Sequence, residues 1–462
     1  MKDKNICLIN DSFPPTIDGV ANTVVNYAAV LNGFAHASVL TPYYPDADDS
    51  VFDFPVIRYP SLDLTKPFGY RAGIPLSPEV IRRVEGEDFD LIHSHCPVTS
   101  TMLARMIRDR IGKPVVLTYH TKFDVDIANS LRGKLIRQEA IRLLAENISA
   151  CDEVWTVSRG AGENLRKIGY NGDYIVMPNG IDLPKGRPEE TLIRRHTDGY
   201  ALPEEKPVFL FVGRMMWYKG IRIILDALAR LREKEEPFTM VFVGSGGDLD
   251  EIRAYTETLG LSDQVVFVPP VYDRDQIRAW YGRADLFLFP STFDTNGLVV
   301  REAAACGLAS VLIAGSCAAE EAEDGVNAFL IEENAPSLAD MLLRLCRTPE
   351  TVRRVGENAR ETLYLSWEDS VKRAAERYDV VIEQYAKGLY PAHTTFSDEI
   401  FHATAQAMDD VTRIREQAKN LRETEAERRQ ERLNELSEWQ GRVAKRHTRL
   451  RENIHNSIDR FL

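Results

Sequence analysis

Short apolar segments recur along most of the chain, and most are followed by a loop and then by an amphipathic stretch. Apolar runs bounded by turn residues predict buried strands, whereas apolar positions spaced by three and four predict helices. The predicted strands cover residues 4–10, 37–41, 56–59, 91–93, 115–119, 207–212, 239–243, 265–268 and 285–289. The predicted helices cover residues 20–31, 131–148, 221–233, 300–305, 337–348, 349–363 and 366–385. Strands that alternate with helices predict an α/β protein with parallel sheets.

Two separate units of strand, glycine loop and helix indicate more than one domain. The first unit opens at residues 4–31 and the second at residues 207–233, and each has the pattern of a Rossmann-like fold. Residues 184–203 are rich in charge, proline and glycine, which predicts a linker with a short helix inside it. A chain of 462 residues also exceeds what one hydrophobic core accommodates. We therefore predict two Rossmann-like domains.

The composition changes after residue 390. Apolar residues alternate spacings of four and three over residues 407–421, lapse over residues 423–432, and then resume. Broken heptads on charged helices predict a helical extension over residues 390–462. A dimerising coiled coil, a hairpin against the core and a docking arm all fit this pattern, and we favour a homodimer formed through residues 397–462.

Charge and cysteine content narrow the class of protein. The net charge of −13 argues against a nucleic-acid-binding protein, because no overall basic excess exists to neutralise phosphates. The six cysteines are scattered and form no Cys-x-x-Cys pair, which favours reduced thiols in a cytosolic protein. We see no signal peptide and no apolar run long enough to span a bilayer. The expected location is the cytoplasm, with at most peripheral contact at the inner face of the membrane.

The loop between the predicted strand 285–289 and helix 300–305 is a candidate site. Asp294 and Glu302 flank it with seven residues between them, and Gly307 ends the helix. A helix N-terminus offers unpaired N–H groups and partial positive charge, so this loop suits a phosphate. A carboxylate one or two turns into the helix could accept hydrogen bonds from sugar hydroxyls. The alternative is an ordinary strand-loop-helix connection in which Glu302 is a solvated charge.

Two further positions carry suitable chemistry. Arg214 and Lys219 lie between a predicted strand and a predicted helix. The planar guanidinium of Arg214 and the compact ammonium of Lys219 would therefore lie beside the N–H groups at the start of that helix. This arrangement predicts a phosphate clamp, although two surface cations are the alternative. His120 follows the predicted strand 115–119, and the carboxyl ends of parallel strands are where such sheets place ligands.

Possible metal ligands have simpler explanations. For His93 and His95 a structural or cleft-lining role is favoured over metal binding, because His-x-His alone is weak evidence. Asp248 precedes a predicted helix, so capping is favoured over a metal-binding Asp-x-Asp motif. No metal site is therefore predicted.

The predicted helix 131–148 carries both apolar and basic side chains. Leu131, Leu135 and Leu143 are interleaved with Arg132 and Lys134. A basic amphipathic helix can lie on an anionic membrane, but a packed surface helix is more common. We favour the packed helix here.

Five segments, in order along the chain, resemble the motifs of one enzyme family. They are residues 13–20, 119–121, 178–182, 214–220 and 290–310. Together they resemble the retaining glycosyltransferases of the large group 1 and family 4 type, which have the GT-B fold. Asp294 stands where this family usually has glutamate. Within the family, the first domain is most similar to bacterial glucosyltransferases that act on diacylglycerol.

The resemblance covers residues 4 to about 387 and implies a domain organisation. Two Rossmann-like domains would face each other across a cleft. Residues 1–183, completed by residues 371–389, would form the acceptor domain, and residues 184–370 the nucleotide-sugar domain. The helical extension follows.

The implied activity is transfer of a hexose, glucose-type favoured, from a nucleotide sugar to an acceptor with retention of anomeric configuration. A UDP-sugar is the favoured donor, no cofactor is required, and the acceptor is a membrane glycerolipid or a soluble sugar. The catalytic residues implied by the resemblance are His120, Arg214, Lys219 and Asp294. The donor-binding residues implied by it are Gly19, Asn296, Gly297, Leu298, Val299 and Glu302.

A rival from another class is a non-catalytic relative that serves as a partner subunit through its C-terminal helices. The replacement of glutamate by Asp294 favours this rival, whereas the presence of His120, Arg214, Lys219 and Glu302 opposes it.

Overall fold

The computed structural model describes residues 3–16, 18–64, 70–75, 78–124, 127, 133–200, 202–203 and 205–391. Nearly all of the predicted helical extension lies outside these residues, so the homodimer through residues 397–462 stays a prediction.

The first domain is built on a seven-stranded parallel sheet. Its strands, with those of a separate hairpin, are β1 (Asn5–Ile9), β2 (His36–Pro42), β3 (Val56–Tyr59), β4 (Ser61–Leu64), β5 (Tyr70–Gly73), β6 (Leu91–Ser94), β7 (Val115–Tyr119), β8 (Glu153–Thr156) and β9 (Ile175–Val176). Its helices are α1 (Gly19–Asn32), α2 (Pro78–Glu85), α3 (Thr99–Ile111), α4 (Lys134–Ser149) and α5 (Arg159–Lys167). The sheet order is β3-β2-β1-β6-β7-β8-β9, and β4 and β5 form the antiparallel hairpin.

The second domain has a six-stranded parallel sheet of order β12-β11-β10-β13-β14-β15. Its strands are β10 (Val208–Val212), β11 (Thr239–Val243), β12 (Val265–Val268), β13 (Leu286–Phe289), β14 (Ser310–Ile313) and β15 (Phe329–Ile331). The remaining helices are α6 (Glu190–Thr197), α7 (Ile221–Glu233), α8 (Leu249–Thr258), α9 (Arg274–Arg283), α10 (Leu298–Ala305), α11 (Ala335–Cys346), α12 (Pro349–Thr362) and α13 (Trp367–Ala386).

Both sheets reverse their strand order beside the first strand of the domain. In the first sheet the reversal lies between β1 and β6, and in the second between β10 and β13. Open parallel sheets bind ligands in the crevice outside the carboxyl ends of strands at such a point. The predicted Rossmann-like architecture is confirmed, and each sheet has one expected ligand crevice.

The long helix α13 packs against the first domain although it follows the second in sequence. Trp367, Val371 and Tyr378 belong to the same buried apolar cluster as Tyr27 and Trp155. The ring of Tyr378 is stacked on that of Trp155, with centroids 5.4 Å apart. The helix therefore returns the chain from the second domain to the apolar core of the first. The domain boundaries stay predictions.

Two local predictions need correction. Helix α10 begins at Leu298, ahead of residue 300, because Gly297 takes a left-handed conformation with φ of 60° and starts the helix. Asp248 does occupy the N-cap position of α8, but its side chain makes no capping hydrogen bond there. Its Oδ2 accepts instead from the backbone N–H of Trp217, 2.8 Å away.

None of the helices in the described part of the chain combines the length and the apolar character that a bilayer span needs.

Candidate functional site

The loops after β10 and β13 are packed backbone against backbone at the crevice of the second sheet. Gly220, with φ of 77°, ends a short 3-10 helix formed by Trp217–Lys219. A Cβ atom at Gly220 would lie 1.9 Å from the carbonyl oxygen of Pro290, so only glycine allows this approach. This close packing places Lys219 next to the loop that contains Asp294.

Lys219 and Asp294 form an ion pair in which the lysine is buried and the aspartate is partly exposed. Lys219 is 7% exposed, and its Nζ donates to Oδ1 of Asp294 at 2.5 Å. The other carboxylate oxygen, Oδ2, accepts from the hydroxyl of buried Ser291 at 2.6 Å. The rings of Tyr218, Phe289 and Phe293 surround the ammonium group at 5.8–6.0 Å. Both oxygens of Asp294 are thus engaged within the second domain.

Arg214 is exposed to solvent and lies close to one of these aromatic rings. Its guanidinium carbon is 6.0 Å from the centre of the Tyr218 ring, which Nζ of Lys219 also approaches at 5.8 Å. The two predicted phosphate ligands therefore meet around one aromatic ring, with Lys219 buried and Arg214 accessible.

The loop of Asn296 and Gly297 leads directly into α10. A Cβ atom at Gly297 would approach the Cβ of Ala318 to 2.9 Å, so packing as well as conformation requires glycine. Leu298 and Val299 form the first turn of the helix, where backbone N–H groups have no partner within the helix. The Nδ2 atom of Asn296 is buried and has no hydrogen-bond partner in the described part of the chain. These unpaired donors suit an oxygen-rich ligand.

Glu302 is not the solvated charge of the alternative interpretation, because its side chain is 12% exposed. Its Oε2 accepts from the hydroxyl of Tyr281 at 2.8 Å, and its Oε1 lies 3.5 Å from Nη1 of Arg274. Burial raises the pKa of Glu302, while Arg274 and the Tyr281 hydroxyl oppose that rise. Arg274 also bonds the carboxylate of Asp182. Sequence reasoning missed Arg274 and Tyr281, since neither lies in a recognisable motif.

Histidines occupy the crevice of the first sheet. His120 follows β7 and His95 follows β6, and their rings are stacked with His95 Nδ1 3.0 Å from His120 Nε2. His93 bonds the hydroxyl of Tyr378 at 2.6 Å and that of Thr118 at 2.7 Å. His93 therefore has a structural role, as favoured from the sequence. Among the described residues, no group of three or more potential ligand side chains is arranged to hold a metal ion.

All three histidines are neutral at physiological pH. Burial lowers the pKa of His120 to about 3 and holds the pKa of His93 and His95 well below the ordinary value. The amide nitrogen of Asn179 lies 3.5 Å from His120 Nδ1, and an amide N–H can only donate. Nε2 of His120 and Nδ1 of His95 share one hydrogen bond, in which one nitrogen donates and the other accepts. Nε2 of His95 is buried and has no hydrogen-bond partner among the described residues.

Gly19 stands at the start of α1 beside open space. The carboxylate of Asp18 accepts from the backbone N–H groups of Val20 and Ala21 at 2.8 and 2.7 Å. A Cβ atom at Gly19 would meet no heavy atom within 4 Å. Neither packing nor a left-handed conformation requires glycine here, so the open space would admit the close approach of a ligand.

Three contacts join the two crevices into one cleft. The hydroxyl of Thr295 donates to the carbonyl oxygen of His120 at 2.7 Å, and Nζ of Lys122 donates to that of Thr292 at 3.2 Å. At the start of α5, Glu320 accepts from the backbone N–H groups of Arg159 and Gly160 at 2.7 and 2.5 Å. The structure thus brings the loop of Asp294 to the strand end that carries His120.

Two family models match the two domains. The model described as Glycosyltransferase Family 4 matches residues 17–185, and the model described as Glycosyl transferases group 1 matches residues 193–362. Together they cover both crevices described above.

Relatives and solved structures agree with these matches. The chain is 31% identical over 310 residues to D-inositol 3-phosphate glycosyltransferase 2 of Catenulispora acidiphila, covering 64% of this chain and 71% of that protein. It is 25% identical over 310 residues to the alpha-monoglucosyldiacylglycerol synthase of Streptococcus pneumoniae, covering 65% and 69%.

Among solved structures, Anabaena HepE in complex with UDP and glucose matches with a TM-score of 0.64 at 19% identity, covering 81% of this chain and 99% of that one. Sucrose-phosphate synthase of Thermosynechococcus elongatus matches with a TM-score of 0.67 at 21% identity, covering 82% and 99%. The fold of these structures is the two-domain arrangement seen here. The chain therefore belongs to the group 1 and family 4 glycosyltransferases with the GT-B fold, and it transfers a sugar from a nucleotide sugar.

Proposed function

We propose that this glycosyltransferase moves a glucose-type hexose from a UDP-sugar to a membrane glycerolipid, with retention of anomeric configuration. The observation that carries the proposal is the Lys219–Asp294 pair, which lies on the loop that contacts the strand end of His120. A leaving diphosphate needs cations, and a sugar hydroxyl needs a carboxylate. Both groups are present at one point of the cleft.

Donor binding would exchange the partner of Lys219. In the ligand-free protein Asp294 neutralises the ammonium group, because a buried unpaired charge is unfavourable. The diphosphate would take over this role together with Arg214, which would stabilise charge on the leaving group as a metal does in other enzymes. Oδ1 of Asp294 would then be free for a hydroxyl of the donor sugar, while Ser291 keeps Oδ2 in place.

The remaining residues would hold the rest of the donor. The first N–H groups of α10, at Leu298 and Val299, would bind phosphate oxygens, and Gly19 would face them from the first domain. Glu302 would accept from the ribose hydroxyls. No separate nucleophile is assigned, which agrees with a front-face mechanism in which a phosphate oxygen helps to deprotonate the acceptor. The ring nitrogens of His120 contact His95 and Asn179 in the ligand-free protein, and neutral His120 would exchange one of these contacts for a hydrogen bond to a sugar hydroxyl.

Helix α4 supports a membrane acceptor. The helix is packed through Leu144 and Ile148, as favoured from the sequence, but Leu135, Ile136 and Leu143 are 79%, 59% and 52% exposed. Lys134 and Arg142 are exposed on the same helix. Exposed apolar and basic side chains together suit an anionic bilayer surface. The pneumococcal relative, which is named for a glucosyl lipid, supports the same class of acceptor.

A panel of donors and acceptors tests the proposal. UDP-, GDP- and ADP-glucose are compared by thermal shift, and turnover is then measured with diacylglycerol in anionic vesicles and with inositol 3-phosphate. We expect stabilisation by UDP-glucose, transfer to the lipid, and an α-configured product from the anomeric coupling in NMR. A β-configured product contradicts retention, and transfer to inositol phosphate alone contradicts the lipid acceptor. Donor binding with no turnover on any acceptor would favour the non-catalytic rival.

A further inference from the structure

Three arginines surround one surface cavity where the linker between the domains meets α9. The cavity has a volume of about 450 Å³. It is lined by Arg187, Pro188, Glu189, Thr191, Leu192, Arg195 and Arg278. None of these residues belongs to the donor site described above.

The lining of this arginine cavity carries an excess of positive charge. Guanidinium groups stay protonated at any physiological pH, and Glu189 supplies the one carboxylate among the lining residues. Nη2 of Arg278 donates to the carbonyl oxygen of Gly186 at 3.2 Å. The Nε atom of Arg278 is buried and has no hydrogen-bond partner among the described residues. A buried donor without an acceptor is unfavourable unless a ligand or solvent satisfies it.

Two basic residues close to the arginine cavity, unlike those in its lining, pair with carboxylates. Arg194, next to Arg195 on α6, pairs with Glu190 at 3.3 Å, and Lys185 in the linker pairs with Glu361 at 2.6 Å. By contrast, no ion pair joins Arg187, Arg195 or Arg278 to a carboxylate within the described residues. The fold therefore supplies acidic partners to the cations around the cavity and leaves those in its lining without one.

We propose that the arginine cavity binds a small phosphate-bearing anion. The planar fork of arginine matches phosphate oxygens in pairs, and several forks around one cavity suit a dianion better than a monovalent ion. The anion would connect the linker through Arg187, α6 through Arg195 and α9 through Arg278. One turn earlier on α9, Arg274 contacts both Glu302 and Asp182, so the anion would restrain the helix that supports the donor carboxylate.

Calorimetric titration of the full chain tests this proposal. The Lys219→Ala background removes a phosphate ligand of the donor site, so that binding there does not obscure the result. Inorganic phosphate and glucose 6-phosphate are titrated separately, with sodium chloride at matched ionic strength as the blank. We expect saturable binding that Arg187→Ala or Arg195→Ala weakens by about tenfold, because each removes a hydrogen-bonded charge from the anion.

Arg194→Ala is the matched control, since it removes the adjacent, carboxylate-paired arginine of the same helix, and it should leave the affinity unchanged. Tighter binding of glucose 6-phosphate would identify a phosphate ester as the ligand, and tighter binding of inorganic phosphate would identify free phosphate. The proposal is overturned if Arg195→Ala and Arg194→Ala bind alike, or if sodium chloride produces the same heat. Should one variant fail to fold by circular dichroism, the exposed partner variant at Arg187 or Arg195 decides the question.

Discussion

The carboxyl ends of the two parallel sheets meet at the cleft with different chemistry. At the first sheet His93, His95 and His120 are buried, and the hydrogen bonds of their ring nitrogens are with neutral groups. At the second sheet Lys219 and Asp294 are also largely enclosed, but they bear opposite charges and bond each other. Both edges arise from the same topology, so side-chain chemistry rather than fold distinguishes them.

These two sets of side chains form the two walls of the cleft. The first, neutral wall consists of His93, His95 and His120, and the second, charged wall consists of Lys219 and Asp294. Each wall keeps ionisable side chains away from water in a different way. An ionisable group that leaves water either loses its charge or keeps it beside an opposite charge. The histidines of the first wall follow the first route, as their lowered pKa values show. Lys219 and Asp294 follow the second. We infer that an anionic diphosphate can replace a partner only in the second wall, whereas the first wall is suited to uncharged hydroxyl groups.

Removing the cation of the charged wall should have the largest effect. Lys219→Ala should lower turnover by about 10³-fold, because the leaving diphosphate loses a preorganised charge. The fold should persist, since Asp294 keeps its bond to Ser291 and its side chain is 21% exposed. Steady-state kinetics with the donor found by the panel, together with circular dichroism, measures both quantities.

Lys372→Ala is the control for this prediction. Lys372 is an exposed lysine that pairs with Glu368 on α13, so its removal should leave turnover unchanged. Near-normal turnover of Lys219→Ala would contradict a role for the charged wall in catalysis.

Lowering the pH should destabilise the protein through the buried histidines of the neutral wall. The pKa of His120 is about 3 in the folded protein and near 6.5 when unfolded, so the unfolded chain binds more protons between these values. The free energy of unfolding should therefore fall as the pH drops below 6.5, and this contribution should be constant above it. Between pH 6.5 and 5 His120 would account for a loss of about 2 kcal/mol. Urea unfolding across this pH range measures the loss.

Two variants test whether the pH dependence of the free energy of unfolding comes from buried His120. His120→Gln should make the free energy of unfolding less dependent on pH by about 2 kcal/mol over the same range. His36→Gln, at an exposed position of β2, should leave the pH dependence unchanged. Equal pH dependence in the wild type and in His120→Gln would mean that His120 binds a proton as readily in the folded state as in the unfolded state.

Much of the fold could be predicted from local pattern. Strands β3, β7 and β11 and helix α7 match the predicted ranges residue for residue, because each is a compact apolar or amphipathic run bounded by turn residues. The first two residues of α10 were missed, since its start depends on the left-handed Gly297, which periodicity does not show.

The pairings within the site could not be predicted in the same way. Lys219 and Asp294 were both singled out, but their bond spans 75 residues and depends on the close packing of Gly220 against Pro290. Arg274 was missed because only the fold brings it to Glu302. Residue types and strand ends indicate where chemistry lies, whereas the partner of each charge is set by tertiary packing.

The contact that holds the two walls together should have the smallest effect. Glu320→Gln replaces a carboxylate oxygen with an amide N–H that faces the backbone N–H groups of Arg159 and Gly160, so one hydrogen bond between the domains is lost. Because the carboxylate is partly exposed, the loss should be about 1 kcal/mol, or roughly fivefold in the equilibrium constant between the joined and the separated cleft. We expect kcat/KM for the donor to fall by at most this factor. Glu321→Gln is the matched control, since Glu321 pairs with Arg301 inside the second domain and should not change kcat/KM. Equal kinetics of the two variants would show that the walls act without this contact.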